Sequence, residues 1–180
     1  MCELATHPMP RLLPELVAAR YYTERMSIEA TLAITSANSS ATEQLAEKIG
    51  HNLRGGETIE LVSDLGGGKT TFVRGLARGM GSTDNVASPT FTLSRQYRAG
   101  SLNLHHYDFY RLAEPGVVAH ELAEVVGQSD SVIVVEWADI VRGVLPTKRL
   151  RITFKTLGEH ERHLEINCPE ELRYLTAGIA

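Results

Sequence analysis

Two rhythms of apolar and polar positions run along this chain. Residues 31–35 and 58–62 carry apolar side chains at strand spacing, whereas Leu45, Ile49 and Leu53 recur every fourth position, as one face of a helix does. Ser40-Ala41-Thr42-Glu43 has capping-box spacing ahead of that helix, and Arg54-Gly55-Gly56 closes it and opens the next strand. A second helix is expected from near Lys69, stopped by Gly79-Met80-Gly81. Residues 91–97 and 102–107, joined through Ala99-Gly100, predict a hairpin, and residues 117–126 predict a helix ending at Gly127. Val132 to Val135 is an unbroken apolar run, the signature of a strand covered on both faces. In the tail, Leu150, Ile152 and Phe154 alternate against Leu164 and Ile166 across a turn near Gly158, and Pro169-Glu170-Glu171 starts a short terminal helix. Strands interleaved with helices and followed by hairpins predict an α/β fold: a sheet with flanking helices and antiparallel hairpin additions.

Length and charge narrow this picture. At 180 residues and 43% hydrophobic, the chain suits one compact domain, assigned to residues 26–180 because the first convincing strand follows Met26. Residues 1–25 read as an N-terminal extension, disordered or not native. They lack a secretory core and are too acidic for a transit peptide. No apolar run is long enough to span a bilayer. Cys2 and Cys168 have no partnering pattern, which points to a reducing, cytoplasmic setting, and the His105-His106 pair has no zinc-site spacing. A net charge of −4 with only local basic clusters argues against autonomous nucleic-acid binding, DNA included.

The chemistry begins at Ser63-Asp64-Leu65-Gly66-Gly67-Gly68-Lys69-Thr70-Thr71, which lies between an expected strand and an expected helix. That is the context of a phosphate-binding loop, in which glycines bring backbone N–H groups up to phosphate oxygens. A helix terminus contributes roughly 0.3–1 kcal/mol to a nearby anion, and an ammonium about 4 Å from a phosphate charge gains on the order of 4 kcal/mol at an effective dielectric near 20, before desolvation. Lys69 is therefore expected to dominate phosphate binding, with the Thr70 hydroxyl on Mg²⁺. The usual pattern starts with glycine. Here it starts with Ser63, and serine tolerates a left-handed backbone poorly, which bears on affinity.

Hydrolysis needs more than this loop. Glu136 ends the apolar strand and is a candidate Mg²⁺ ligand, with a surface acid as the bland reading; the neighbouring Trp137 either packs on the core or covers the nucleotide pocket. Asp108 follows the strand 102–107, either as a turn residue or at the rim of the site. Thr90 lies in a polar loop where a hydroxyl could sense a γ-phosphate and release the loop after its loss. Arg74 and Arg78, one turn apart, would serve a small-molecule P-loop kinase, the runner-up reading, or simply a solvated helix face. No Asn-Lys-x-Asp stretch is present to read guanine, which favours ATP, and a module that binds ATP without hydrolysing it is a further alternative.

Residues 63–72, together with 85–93, His106-Tyr107-Asp108-Phe109-Tyr110-Arg111-Leu112 and Val135-Glu136-Trp137, closely resemble the bacterial TsaE (YjeE) family over about Ile34 to Ile166. The resemblance implies a P-loop NTPase-like fold. It also implies a small ATPase needed to form N6-threonylcarbamoyladenosine beside the anticodon of tRNAs. Such a protein acts on the TsaD–TsaB pair and meets tRNA through that complex. By position it implies Lys69 on phosphates, Thr70 and Glu136 on Mg²⁺, Thr90 and Asp108 at the γ-phosphate side, and Thr42 near the nucleotide. Leu65 to Gly68, Thr71 and Trp137 complete the expected ATP site. The departures are Ser63 for glycine, Gly67 where alanine is usual, and Ala138 where proline often follows the tryptophan.

Overall fold

The computed structural model describes residues 30–179; the expected extension 1–25, the start at Met26 and Cys2 lie outside the described residues. In chain order the elements are β1 (Ala30–Ser36), α1 (Ser39–Asn52), β2 (Thr58–Val62), α2 (Lys69–Gly79), β3 (Ser94–Ala99), β4 (Leu102–Asp108), α3 (Gly116–Val125), β5 (Ser131–Glu136), β6 (Leu150–Thr156) and β7 (Arg162–Cys168). Short 3₁₀ turns follow β5 at Ala138–Val141 and β7 at Glu170–Thr176.

All the strands form one seven-stranded sheet in the order β1-β7-β6-β2-β5-β4-β3. The centre is parallel, with β2 between β6 and β5 and β4 beside β5. Antiparallel hairpins β3–β4 and β6–β7, with β1 added to β7, extend it outward. The architecture is the expected P-loop-type α/β sheet with hairpin additions. It directs the carboxyl ends of β2, β5 and β4 to one rim, where Leu61 registers with Glu136 and Glu136 with Asp108. Such a rim is where open α/β sheets hold ligands.

Every residue of β5 is buried because its alternate side chains feed two cores. Val132 and Val134 face α1 and α2 among Ile49, Phe72 and Leu76, whereas Ile133 and Val135 face α3 and the 138–141 turn among Leu122 and Val141. Each fully buried side chain of this size contributes about 1.5–3 kcal/mol of transfer free energy. Helices α1 and α2 meet at backbone contact. A Cβ on Gly75 would run into the Glu43 carbonyl, and one on Gly79 into the Glu47 carbonyl. These contacts fall in the middle and at the end of α2, so the helix that begins with Lys69 and Thr70 is fixed against α1.

Two local expectations are corrected. The α1 cap is Asn38, whose side chain accepts from the Ala41 N–H at 2.9 Å, two residues earlier than the Ser40 spacing suggested. Residues 91–93 do not join the hairpin. Pro89 O accepts from Thr92 N and Leu93 N, and Leu93 turns into the left-handed region at φ +65°, so β3 begins only at Ser94.

Candidate functional site

The rim of the sheet opens into a cavity of about 230 Å³. The glycine loop forms its floor, with Leu65, Gly66, Gly67, Gly68, Lys69, Thr70 and Thr71 all lining it. Ser88, Thr90, Asp108, Glu136 and Trp137 complete its lining. Thr42 is not among them. It is buried, shares a 2.7 Å hydrogen bond with Ser36 Oγ, and lines a smaller adjacent cavity together with Gly68 and Thr71.

Gly68 precedes α2 at φ +103°, a conformation that glycine adopts without strain, and no side chain caps the helix start. The first-turn N–H groups, which have no partner inside a helix, thus carry no side-chain acceptor either. Lys69 is 6% exposed and its Nζ donates to Ser63 O at 3.3 Å, Asp64 O at 3.2 Å and Ser63 Oγ at 2.9 Å. The same nitrogen lies 3.6 Å from Glu136 Oε2 and 5.1 Å from the centroid of the Trp137 ring. The tryptophan ring thus lies beside the ammonium, and both residues line the cavity. Its own backbone is left-handed at φ +57°. Ser63 is not among the positive-φ residues, so the expected backbone strain is absent; the serine matters through its side chain.

Glu136 and Asp108 are both buried at the ends of neighbouring strands. The other Glu136 oxygen, Oε1, is 2.8 Å from Nε2 of His106, a side chain with no solvent exposure. Asp108 Oδ2 accepts the Thr90 hydroxyl, and Oδ1 accepts the Tyr110 N–H at 3.0 Å. Ser88 Oγ is 2.7 Å from Thr90 Oγ1, and the Asp108 N–H donates to Leu93 O at 3.0 Å. The 88–93 segment is thus fastened to the end of β4 through Thr90 and Leu93.

Two residues that sequence reasoning left out take part. His106 shares the β4 face of Leu104 and Asp108, which strand alternation alone would have revealed. Arg162, from the start of β7, donates to Gly67 O at 3.2 Å, a long-range contact with no sequence signal. Arg78 spans Glu43 and Glu47 on α1, Arg74 Nε donates to Val86 O, and neither lines the cavity.

The donor set fits an anionic, phosphate-bearing ligand: an uncapped helix start, a buried ammonium, and a glycine at position 67, where a Cβ would collide with the Ser63 side chain. Among the described residues no group of three or more His, Cys, Asp and Glu side chains forms a metal cage. One carboxylate and one hydroxyl, Glu136 and Thr70, suit a hard cation that draws its other ligands from phosphate and water. Among the described residues no helix is long and apolar enough to cross a membrane.

The family model described as "Threonylcarbamoyl adenosine biosynthesis protein TsaE" matches residues 36–164. The tRNA threonylcarbamoyladenosine biosynthesis protein TsaE of Bacillus subtilis is 37% identical over 71% of this chain and 79% of its own length. The protein of the same name from Rickettsia felis is 31% identical over 69% of this chain and 73% of its own length. The crystal structure of Bacillus subtilis YdiB superposes with a TM-score of 0.66 at 33% identity, covering 81% of this chain and 91% of that one. The chain belongs to the TsaE family of tRNA threonylcarbamoyladenosine biosynthesis proteins.

Proposed function

We infer that this protein is an ATP-binding and hydrolysing accessory subunit for threonylcarbamoyl modification of adenosine beside the tRNA anticodon, acting on the TsaD–TsaB complex in the cytoplasm. One observation carries the reading: the Lys69 ammonium and the Glu136 carboxylate, 3.6 Å apart, converge beside an uncapped helix start. Lys69 and the first-turn amides bind the phosphates. Thr70 and Glu136 hold Mg²⁺, which when bound neutralises phosphate charge and polarises the terminal phosphoryl group. Asp108 orients the attacking water, and Thr90, tied to it, links the 88–93 segment to the state of the γ-phosphate. Phe91 within this segment and Tyr110 just past Asp108 are exposed and offer apolar surface to the partner complex. Meeting tRNA only through that complex agrees with the net charge of −4.

A small-molecule kinase would need an arginine-bearing lid, and Arg74 and Arg78 are engaged elsewhere. The test is calorimetry and phosphate release on the whole chain. Lys69→Ala is expected to abolish ATP binding. Glu136→Ala is expected to weaken Mg²⁺-dependent hydrolysis more than binding, and equal losses in both would make the carboxylate structural. Purified TsaD–TsaB is expected to raise turnover. A phosphorylated product from small alcohol or nucleoside acceptors would transfer the assignment to a kinase.

A further inference from the structure

An ammonium has three N–H bonds to give. In Lys69 two point at backbone carbonyls of the glycine loop, Ser63 O and Asp64 O, acceptors that any residue at those positions would supply. The third goes to the Ser63 hydroxyl and is the shortest of the three at 2.9 Å. That hydroxyl is itself fixed, because it donates to Asp64 O at 2.8 Å. Every lysine proton is therefore committed within the protein, and the last of them is held by a side chain, not by the backbone.

We propose that Ser63 sets the nucleotide affinity of this site: its hydroxyl, the nearest of the three acceptors on the Lys69 ammonium, competes with an incoming phosphate oxygen for that charge. The inference rests on the reading of the cavity as an ATP site and adds a residue that tunes it. Ser63 also determines its neighbour across the loop. The Ser63 Cβ lies 2.6 Å from where a Cβ on residue 67 would be, and its Oγ is closer still, so Gly67 must remain glycine while the serine is present. Positions 63 and 67 consequently behave as a compensating pair, one side chain occupying the space that the other gives up.

Two separable variants follow. Ser63→Ala removes the hydroxyl and keeps the Cβ, whereas Ser63→Gly removes both. Calorimetric titration of the whole chain with ATP and Mg²⁺ is expected to give three- to tenfold tighter binding for both variants. Unchanged or weaker binding by Ser63→Ala, with the unsubstituted protein binding normally, overturns the inference and leaves the ATP reading intact. No binding by the unsubstituted protein or either variant at millimolar ATP overturns both.

A second measurement needs no nucleotide. Gly67→Ala is expected to lower the thermal midpoint in the natural background and in Ser63→Ala, and to be tolerated in Ser63→Gly. The same loss in all three backgrounds would refute the contact on which the inference is built.

Discussion

His106 Nε2 lies 2.8 Å from Glu136 Oε1, with both side chains buried, so the carboxylate that reaches Lys69 with its other oxygen is held from beneath by an imidazole. A carboxylate can only accept, so Nε2 carries the proton; among the described residues Nδ1 has no hydrogen-bond partner. His106→Leu leaves the buried Oε1 without its partner, which costs about 1–3 kcal/mol. It is expected to reduce hydrolysis at saturating ATP more than it changes ATP affinity, and His106→Gln, which restores an N–H, to recover part of the rate. Steady-state kinetics beside calorimetry check the split; parallel losses would show that the imidazole only fills space.

Trp137 has φ +57°, a conformation costing an L-residue about 1–2 kcal/mol relative to glycine. Trp137→Ala loses the indole and keeps the strain, whereas Trp137→Gly loses both. Urea unfolding is expected to rank the glycine variant about 1 kcal/mol above the alanine variant, the reverse of the order in an ordinary helix or strand. Both are expected to lose the tilted ring contact with Tyr110, whose ring centroid is 5.0 Å away.

Gly75→Ala places a methyl group against the Glu43 carbonyl, where backbone and not a movable side chain must give way. Overpacking of this kind costs about 1–3 kcal/mol. The denaturant midpoint is expected to fall, and ATP affinity with it, because α2 carries Lys69 and Thr70. A shift in stability alone would uncouple the helix pairing from the site.

Tyr174 donates to Glu57 Oε1 at 2.8 Å, and burial, followed by that carboxylate, pushes its phenol up to about 12 from 10.0. Between these values the unfolded chain has lost the proton and the folded one retains it, so stability falls as pH rises through that window. Thermal midpoints from pH 9 to 12 are expected to drop more steeply for the natural protein than for Tyr174→Phe. Identical slopes would mean that the phenol titrates alike in both states.

The parts of this fold that depend on local pattern could be read from the residues. The run Val132 to Val135 does lie covered on both faces, and the glycine loop does connect a strand to a helix. Residues 91–93 could not be read this way, because a strand-like Phe-Thr-Leu is overridden by the turn at Pro89 and the positive φ at Leu93. Asn38 takes the cap from Ser40 by reaching Ala41 N, a competition between adjacent polar residues that spacing does not decide. In the site, the strand-end acids Asp108 and Glu136 were visible as carboxylates following apolar residues. Arg162 was not, since its contact with Gly67 joins residues 95 positions apart in the sequence.

The glycine seam fixes α2 against α1 through main-chain contact, and the loop at the head of α2 forms the floor of the cavity. The stretch from Ser88 to Leu93 is moored through the Thr90 hydroxyl and the Leu93 carbonyl. Both of those hydrogen bonds end on Asp108, so whatever displaces that stretch must also disturb the carboxylate at the end of β4.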